Sequence, residues 1–282
     1  MKRLSILGFI FILFILSGLV LLLRQKLRRA LQKGPRVCED LGYDLPRQLR
    51  QVLHRSFHRD EIQVAQREAG LGVATRQQEP MAVWLVGPSA AGKSFMAREV
   101  AMDLGISPMN QGSTDAVLVD GHTFRSAHGG YQAVVAEGYK LQCVWRQAYP
   151  ALRQQLQKQK HRLLQEAARR KLNVVIPHTC YLLSECAAWL RSLHRHGYKN
   201  HVVMVLGDRS VVESRGIARA QLSGKRYARE EWEATVSSGF EMIALATGYA
   251  ELVWTTPRTR WIVKKGKPSD VLSEASERGW FL

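Results

Sequence analysis

The sequence predicts an α/β fold of three layers built on a mainly parallel sheet. Three observations carry that expectation. Short apolar runs recur at Met81–Gly87, Asp115–Val119, Leu172–Pro177 and His201–Gly207. Stretches with helical periodicity separate them, and a glycine-containing turn, Gly87–Ser94, links the first run to the first helix. Continuous apolar runs suit strands buried on both faces, and strand–helix alternation is the pattern of a parallel sheet covered on each side.

The chain opens with Leu4–Leu23, LSILGFIFILFILSGLVLLL, 20 residues without a charge. As a helix rising about 1.5 Å per residue it spans roughly 30 Å, the hydrocarbon thickness of a bilayer. It runs straight into Arg24-Gln-Lys-Leu-Arg-Arg with no small-x-small cleavage site, so a retained anchor over residues 1–24 is expected rather than a cleaved leader. Lys2 and Arg3 precede the span; Arg24, Lys26, Arg28, Arg29 and Lys33 follow it. The heavier positive flank places the C-terminal side in the cytosol.

Residues 25–79 are expected to form a stalk and a helical preface. Leu41, Leu45, Leu49, Val52 and Leu53 recur at helical spacing, interrupted by Pro35 and Pro46. The main domain is expected over residues 80–282. After the first strand, Ser94–Leu104 reads as a helix, Asp115–Val119 as a strand ending at Asp120, and Tyr131–Arg170 as a long helical stretch broken near Pro150. Ser184–His194, Val211–Ala220 and Arg229–Leu245 read as helices. Two late runs, Glu251–Thr256 and Arg260–Gly266, read as strands joined by a hairpin around Pro257–Thr259.

With 41 Lys and Arg against 24 Asp and Glu, the formal charge is +17, a balance that attracts polyanions. The basic stretch Lys158–Lys171 has no interleaved aromatic residue and is read as a solvated helix face, not a nucleic-acid patch. No nucleic-acid module is recognised, so nucleic acid is not an expected partner. The four cysteines, Cys38, Cys143, Cys180 and Cys186, form no CxxC pair and fit no zinc spacing. They are read as free thiols in a reducing compartment, with Cys180 a buried structural thiol.

Chemistry centres on Gly87-Pro88-Ser89-Ala90-Ala91-Gly92-Lys93-Ser94, which matches G-x-x-x-x-G-K-[ST] between a strand and a helix. Glycines at both ends let successive amides turn inward as an anion nest at a helix N-terminus. Lys93 is expected to reach the β and γ phosphates of ATP, and Ser94 to offer its hydroxyl to Mg²⁺. Asp120, at the tip of the next strand, is expected to hold Mg²⁺ with Ser94 or to orient an acceptor hydroxyl.

The segment Val119–Tyr131, VDGHTFRSAHGGY, resembles the zeta-toxin family of P-loop kinases, which carry D-G-D-x-F-R-x-x-H-P-x-Y after their phosphate loop. Asp120, Gly121, Phe124, Arg125, His128 and Tyr131 match in register. A weaker likeness runs on to about residue 245 and sets Arg219 and Arg226 near two phosphate-contacting arginines of that family. The resemblance implies a three-layer P-loop kinase fold. It further implies transfer of the γ-phosphoryl group of ATP to a hydroxyl of a small acceptor, typically a nucleotide sugar such as UDP-N-acetylglucosamine. Arg219 and Arg226 would offset developing charge, and Arg125 and His178 would contact substrate.

Two positions depart from the family. His122 stands at the family's second aspartate, its presumed base, and Ile176-Pro177-His178-Thr179 replaces a strand end that reads I-E-G-T. A histidine can act as a general base near neutral pH, so either Asp120 or His122 is the candidate to activate the acceptor. The second reading is a membrane-anchored nucleotide-binding switch or scaffold without catalysis. His128 is expected to lock its loop rather than enter the chemistry.

Overall fold

The computed structural model describes residues 36–106, 115–256 and 259–280. The apolar run Leu4–Leu23 and the basic residues after it lie outside the described residues. Among the described residues no helix is long and apolar enough to cross a membrane.

The described chain runs β1 (Arg36–Val37), α1 (Arg47–His54), α2 (Arg59–Glu68), β2 (Met81–Val86), α3 (Lys93–Asp103), β3 (Ala116–Leu118), α4 (Gly121–Ala127), α5 (Gly129–Lys140) and β4 (Cys143–Val144). It continues with α6 (Ala148–Arg169), β5 (Asn173–Pro177), α7 (Leu183–Arg195), β6 (Lys199–Gly207), α8 (Arg209–Ser223), α9 (Trp232–Ala244), β7 (Ala250–Thr255), β8 (Arg260–Gly266) and α10 (Pro268–Glu277).

Six strands form the main sheet in the order β3-β5-β2-β6-β7-β8. All neighbours are parallel except the β7–β8 hairpin at one edge. The expected parallel sheet is thus present, with β2 at its centre. Alternation along β2 sorts its side chains onto two cores. Ala82, Trp84 and Val86 join a core covered by α6, α7 and α9, and Val83 and Leu85 join one filled by Met96, Ala97, Val100 and Ala101 of α3. This produces the three layers. The only polar atom that Trp84 brings into the core, its Nε1, donates to Asn200 Oδ1 at 3.0 Å.

Residues 36–79, read from the sequence as stalk and preface, lie against the main domain. Leu53, Phe57, Ala65 and Ala69 enter the larger core. Glu61 of α2 accepts from the two terminal guanidinium nitrogens of Arg55 at 2.8 and 2.5 Å, from its own helix cap His58 N at 2.8 Å, and from Gly129 N at 2.7 Å. Burial pushes the Glu61 carboxyl up, but these charged and amide donors outweigh it and hold the group down at about 2. His128 is fully buried and caps α5 by accepting from Tyr131 N at 3.0 Å, so it has the locking role expected of it.

The cysteine expectation is corrected. Cys38 and Cys143 form a disulfide, Cys180 and Cys186 form another, and no cysteine is free. Spacing could not reveal the first pair, whose members are 105 residues apart and are brought together by the parallel β1–β4 pairing. The long helical stretch is also corrected. It divides at β4, where Gln142 adopts φ 52° and turns the chain between α5 and α6. The helix α10, with Pro268 at its start, was not anticipated, although proline at a first helical turn is a recognised start signal.

Candidate nucleotide and acceptor site

The phosphate loop leaves the C-terminal end of β2 and enters α3. Gly87 has φ +127°, and a Cβ there would stand 2.3 Å from the carbonyl oxygen of Val205 on β6. The loop therefore lies on the backbone of the neighbouring strand, an approach open only to glycine. Gly92 has φ +103° and Ala90 has φ +67°, so the turn winds through left-handed conformations before the helix starts. Thr255 Oγ1 lies 2.9 Å from the carbonyl oxygens of both Ala91 and Leu206, tying the loop to β6 and β7.

Lys93 is buried, and its ammonium donates to Gly87 O at 2.7 Å and Pro88 O at 2.6 Å. Burial, then the charges of Lys225 and Arg219, brings it down to about 7, with Asp120 acting in the opposite direction. Ser94 Oγ donates to Asp120 Oδ2 at 2.9 Å. The other carboxylate oxygen, Oδ1, accepts from His122 N at 2.9 Å, so Asp120 is the N-cap of α4 as well as the partner of the loop serine.

Around this pair stands a group of cations. Arg219 Nη2 donates to Ser89 Oγ at 3.3 Å, which places the α8 arginine on the loop. Arg125 and Lys225 approach the ring of Tyr149, at 5.7 and 4.8 Å from its centroid. Lys160 is buried on α6 and lies 5.6 Å from the Trp189 ring centroid. A Cβ on Gly121 would lie 3.6 Å from Lys160 Cδ, so α6 and α4 meet beside Asp120. Burial brings Lys160 and Lys225 each down to about 8, and Asp120 opposes the shift in both. Among the described residues, Asp120 is the carboxylate that acts on Lys93, Lys160, Arg219 and Lys225 alike.

The structure brings together Gly87–Ser94, Asp120, Arg125, His178 and Arg219 from the sequence reading. His178 sits past the end of β5, its amide donating to Leu85 O of β2 at 2.9 Å. His122 is on the first turn of α4 with an exposed side chain, and Arg226 is exposed after the end of α8. Beside Arg226, it is Lys225 that turns toward Arg125, Arg219 and Asp120. The sequence reading missed Lys160, Lys225 and Tyr149. Lys160 could have been found: it lies in register with Leu152, Leu156 and Leu164 on the apolar stripe of α6, where a solvated lysine does not belong. The expectation that Lys158–Lys171 is wholly a solvated face is corrected at that residue.

A strand running into an amide-lined turn, a buried lysine within the turn, and a serine bonded to the neighbouring strand's carboxylate define a nucleotide-binding protein with a P-loop kinase-like fold. The chain belongs to the AAA domain family (AAA_33), whose model matches residues 83–240. No curated protein matches the chain in sequence. Among solved structures it is similar to one from the PezAT chromosomal toxin-antitoxin system of Streptococcus pneumoniae, with TM-score 0.56 and 17% identity over 78% of this chain and 88% of that one. It is also similar to the AvrRxo1-ORF1:-ORF2 complex with ATP, with TM-score 0.42 and 13% identity over 88% of this chain and 71% of that one. The first of these likenesses is one of fold, in the direction that the resemblance to zeta-toxin kinases led us to expect.

Proposed function

We propose that this chain is a phosphotransferase that moves the γ-phosphoryl group of ATP to a hydroxyl of a small acceptor, with a nucleotide sugar as the first candidate class. The observation that carries the reading is the 2.9 Å bond from Ser94 to Asp120, which puts a hydroxyl and a carboxylate at the mouth of the phosphate loop. Oxygen donors of this kind suit a hard cation, and Ser94 and Asp120 are the residues that would hold Mg²⁺. When bound, that ion supplies charge neutralisation at the triphosphate. Lys93 and the loop amides would bind the phosphates. Arg219 is on the loop and would offset charge developing in transfer; Arg226 would join it only by turning inward. Asp120, or His122 beside it, would take the acceptor's proton, and Arg125 and His178 would contact the acceptor.

The second reading, a nucleotide-binding switch or scaffold without turnover, draws support from the exposed side chain of His122, the position where the resembling family has its base. One experiment separates them. The full chain in detergent is given γ-labelled ATP and Mg²⁺ with UDP-N-acetylglucosamine, other UDP-sugars and nucleosides, alongside Lys93→Ala and His122→Ala. The kinase reading expects labelled acceptor from wild type and at least about a hundredfold less from Lys93→Ala. Tight nucleotide binding with wild-type transfer no faster than Lys93→Ala leaves the switch reading standing.

We further propose that Leu4–Leu23 holds the domain at a membrane, with the domain on the cytosolic side. The charge flanks and the need for ATP support that orientation. The two disulfides pull the other way, toward an oxidising compartment. Protease protection of the domain in sealed membranes decides between them: digestion from the cytosolic face supports the proposal, and full protection reverses it.

A further inference from the structure

Next to the phosphate loop, His178, proposed above to contact the acceptor, stands with two cysteines that the proposed transfer does not use. A ring nitrogen of His178 and the sulfurs of Cys180 and Cys186 all lie within 4.8 Å of one another. Both cysteines are buried, at 0% and 1% exposure. His178 Nδ1 accepts from Cys180 N at 3.0 Å and lies 3.2 Å from Cys186 Sγ. An Nδ1 that accepts an amide hydrogen carries no proton of its own. Its lone pair is aimed at the Cys180 amide 3.0 Å away, so binding an ion exchanges that hydrogen bond for a metal bond, and the ring is the neutral tautomer with hydrogen on Nε2. That is the form in which imidazole binds a metal.

We propose that, once the Cys180–Cys186 disulfide is reduced, His178, Cys180 and Cys186 form a binding site for one Zn²⁺. The first step is a two-electron reduction. A dithiol gives up two electrons and two protons, the S–S bond breaks, and two thiols and an oxidised reductant result. Zn²⁺ then displaces the two thiol protons to the solvent and is held by two thiolates and one imidazole.

Two sulfurs and one nitrogen are soft-to-borderline donors that select zinc over Mg²⁺ or Ca²⁺. Ligand atoms around a tetrahedral zinc stand roughly 3.3–3.8 Å apart by its bond lengths, so modest side-chain rotation from the closed pair suffices. Lys160, Lys93, Lys225 and Arg153 all place positive charge near His178. Such a field opposes a bare dication but favours thiolates, and a dication with two thiolates is neutral overall. Cationic neighbours therefore do not exclude the ion. Sequence spacing hid the site because no zinc pattern has these intervals. The ligands converge because Cys180 turns the chain with φ 49° between the end of β5 and the first turn of α7.

The site would matter for the phosphate loop. His178 N is bonded to Leu85 O, two residues before Gly87, so the segment that binds zinc is laid directly against the strand that carries the loop. Disulfide and zinc forms would be two alternative closures of residues 178–186.

The test uses the full chain in detergent, kept anaerobic with a phosphine reductant, and needs no activity assay. Reduced wild type is expected to bind one equivalent of Zn²⁺ in competition with a chromophoric chelator. With Co²⁺ as the probe, it should show thiolate-to-metal charge-transfer absorption. The oxidised protein should bind none at that affinity. Cys180→Ser with Cys186→Ser should abolish the absorption, whereas Cys38→Ser with Cys143→Ser should retain it. His178→Ala should weaken binding by more than the roughly 10–100-fold typical of losing an outer partner of a ligand. Absence of the charge-transfer band in reduced wild type overturns the proposal. So does a band that survives in the Cys180→Ser/Cys186→Ser variant.

Discussion

The ammonium of Lys93 is 2.7 Å from the carbonyl oxygen of Gly87, the residue that opens its own loop. The lysine thus satisfies its hydrogen bonds within the protein, while burial and the cations around it press it toward neutrality at about 7. Binding a polyanion would reverse that pressure.

The first prediction follows from this coupling. A triphosphate raises the Lys93 pKa, so binding takes up a proton whenever the free protein is partly neutral. The sign is fixed: affinity is full below about pH 7 and falls as pH rises through it. At pH 8.5 the wild type is expected to bind a non-hydrolysable ATP analogue roughly tenfold more weakly than at pH 6.5, by calorimetry. Lys93→Arg keeps its charge throughout and should show a smaller change with pH, which removes the ligand's own ionisation from the comparison. Equal pH profiles for the two proteins would contradict the coupling.

The second concerns Glu61, which joins α2 to the start of α5. Its carboxylate answers Arg55 and two backbone amides, and at pH 7 Glu61→Gln is expected to cost roughly 2–3 kcal/mol in urea unfolding. The folded group titrates at about 2, well below its unfolded value of roughly 4.3. Its contribution is therefore complete above pH 4.3 and is lost as pH falls toward 2. The gap between wild type and variant should narrow over that interval; a gap independent of pH would show that the charge is not the source.

The third tests the close approach beneath the loop. Gly87→Ala places a Cβ against Val205 O and forces alanine to φ +127°. Loss of roughly 2–4 kcal/mol is expected, with nucleotide binding impaired. Gly72, which has no atom within 4 Å of a built Cβ, serves as the control. Gly72→Ala should change stability by less than about 0.5 kcal/mol.

Much of the fold and the nucleotide half of the site could be read from the sequence because both are encoded locally. Val83 and Leu85 alternate with Trp84 inside one short run, and Gly87, Gly92 and Lys93 carry the loop within a few positions. The cationic side of the site was less legible because it is assembled by packing. Lys160 stands where the charge of Asp120 acts on it only because α6 turns that face inward, and the inward Lys225 and the exposed Arg226 are successive residues of the loop that follows α8. The cysteine pairs were illegible for the same reason: Cys38 meets Cys143 through a strand pairing of two residues per side. Spacing rules describe sequence neighbours, and these residues are neighbours only in space.

The Cys38–Cys143 bond has a mechanical consequence. If the residues before Arg36 hold the chain to a fixed surface, a pull on the far end arrives as tension along the backbone. At Cys38 that tension has two routes, the 105 residues through α1 to α5 or the single covalent step into β4. The short route is the stiffer and carries the load. The strand, loop and helix that would hold a nucleotide then lie on the slack branch, like a component wired in parallel with a rigid strut. An oxidised chain could be tugged at its tether without the phosphate loop being stretched; a reduced one would transmit the same tug through it.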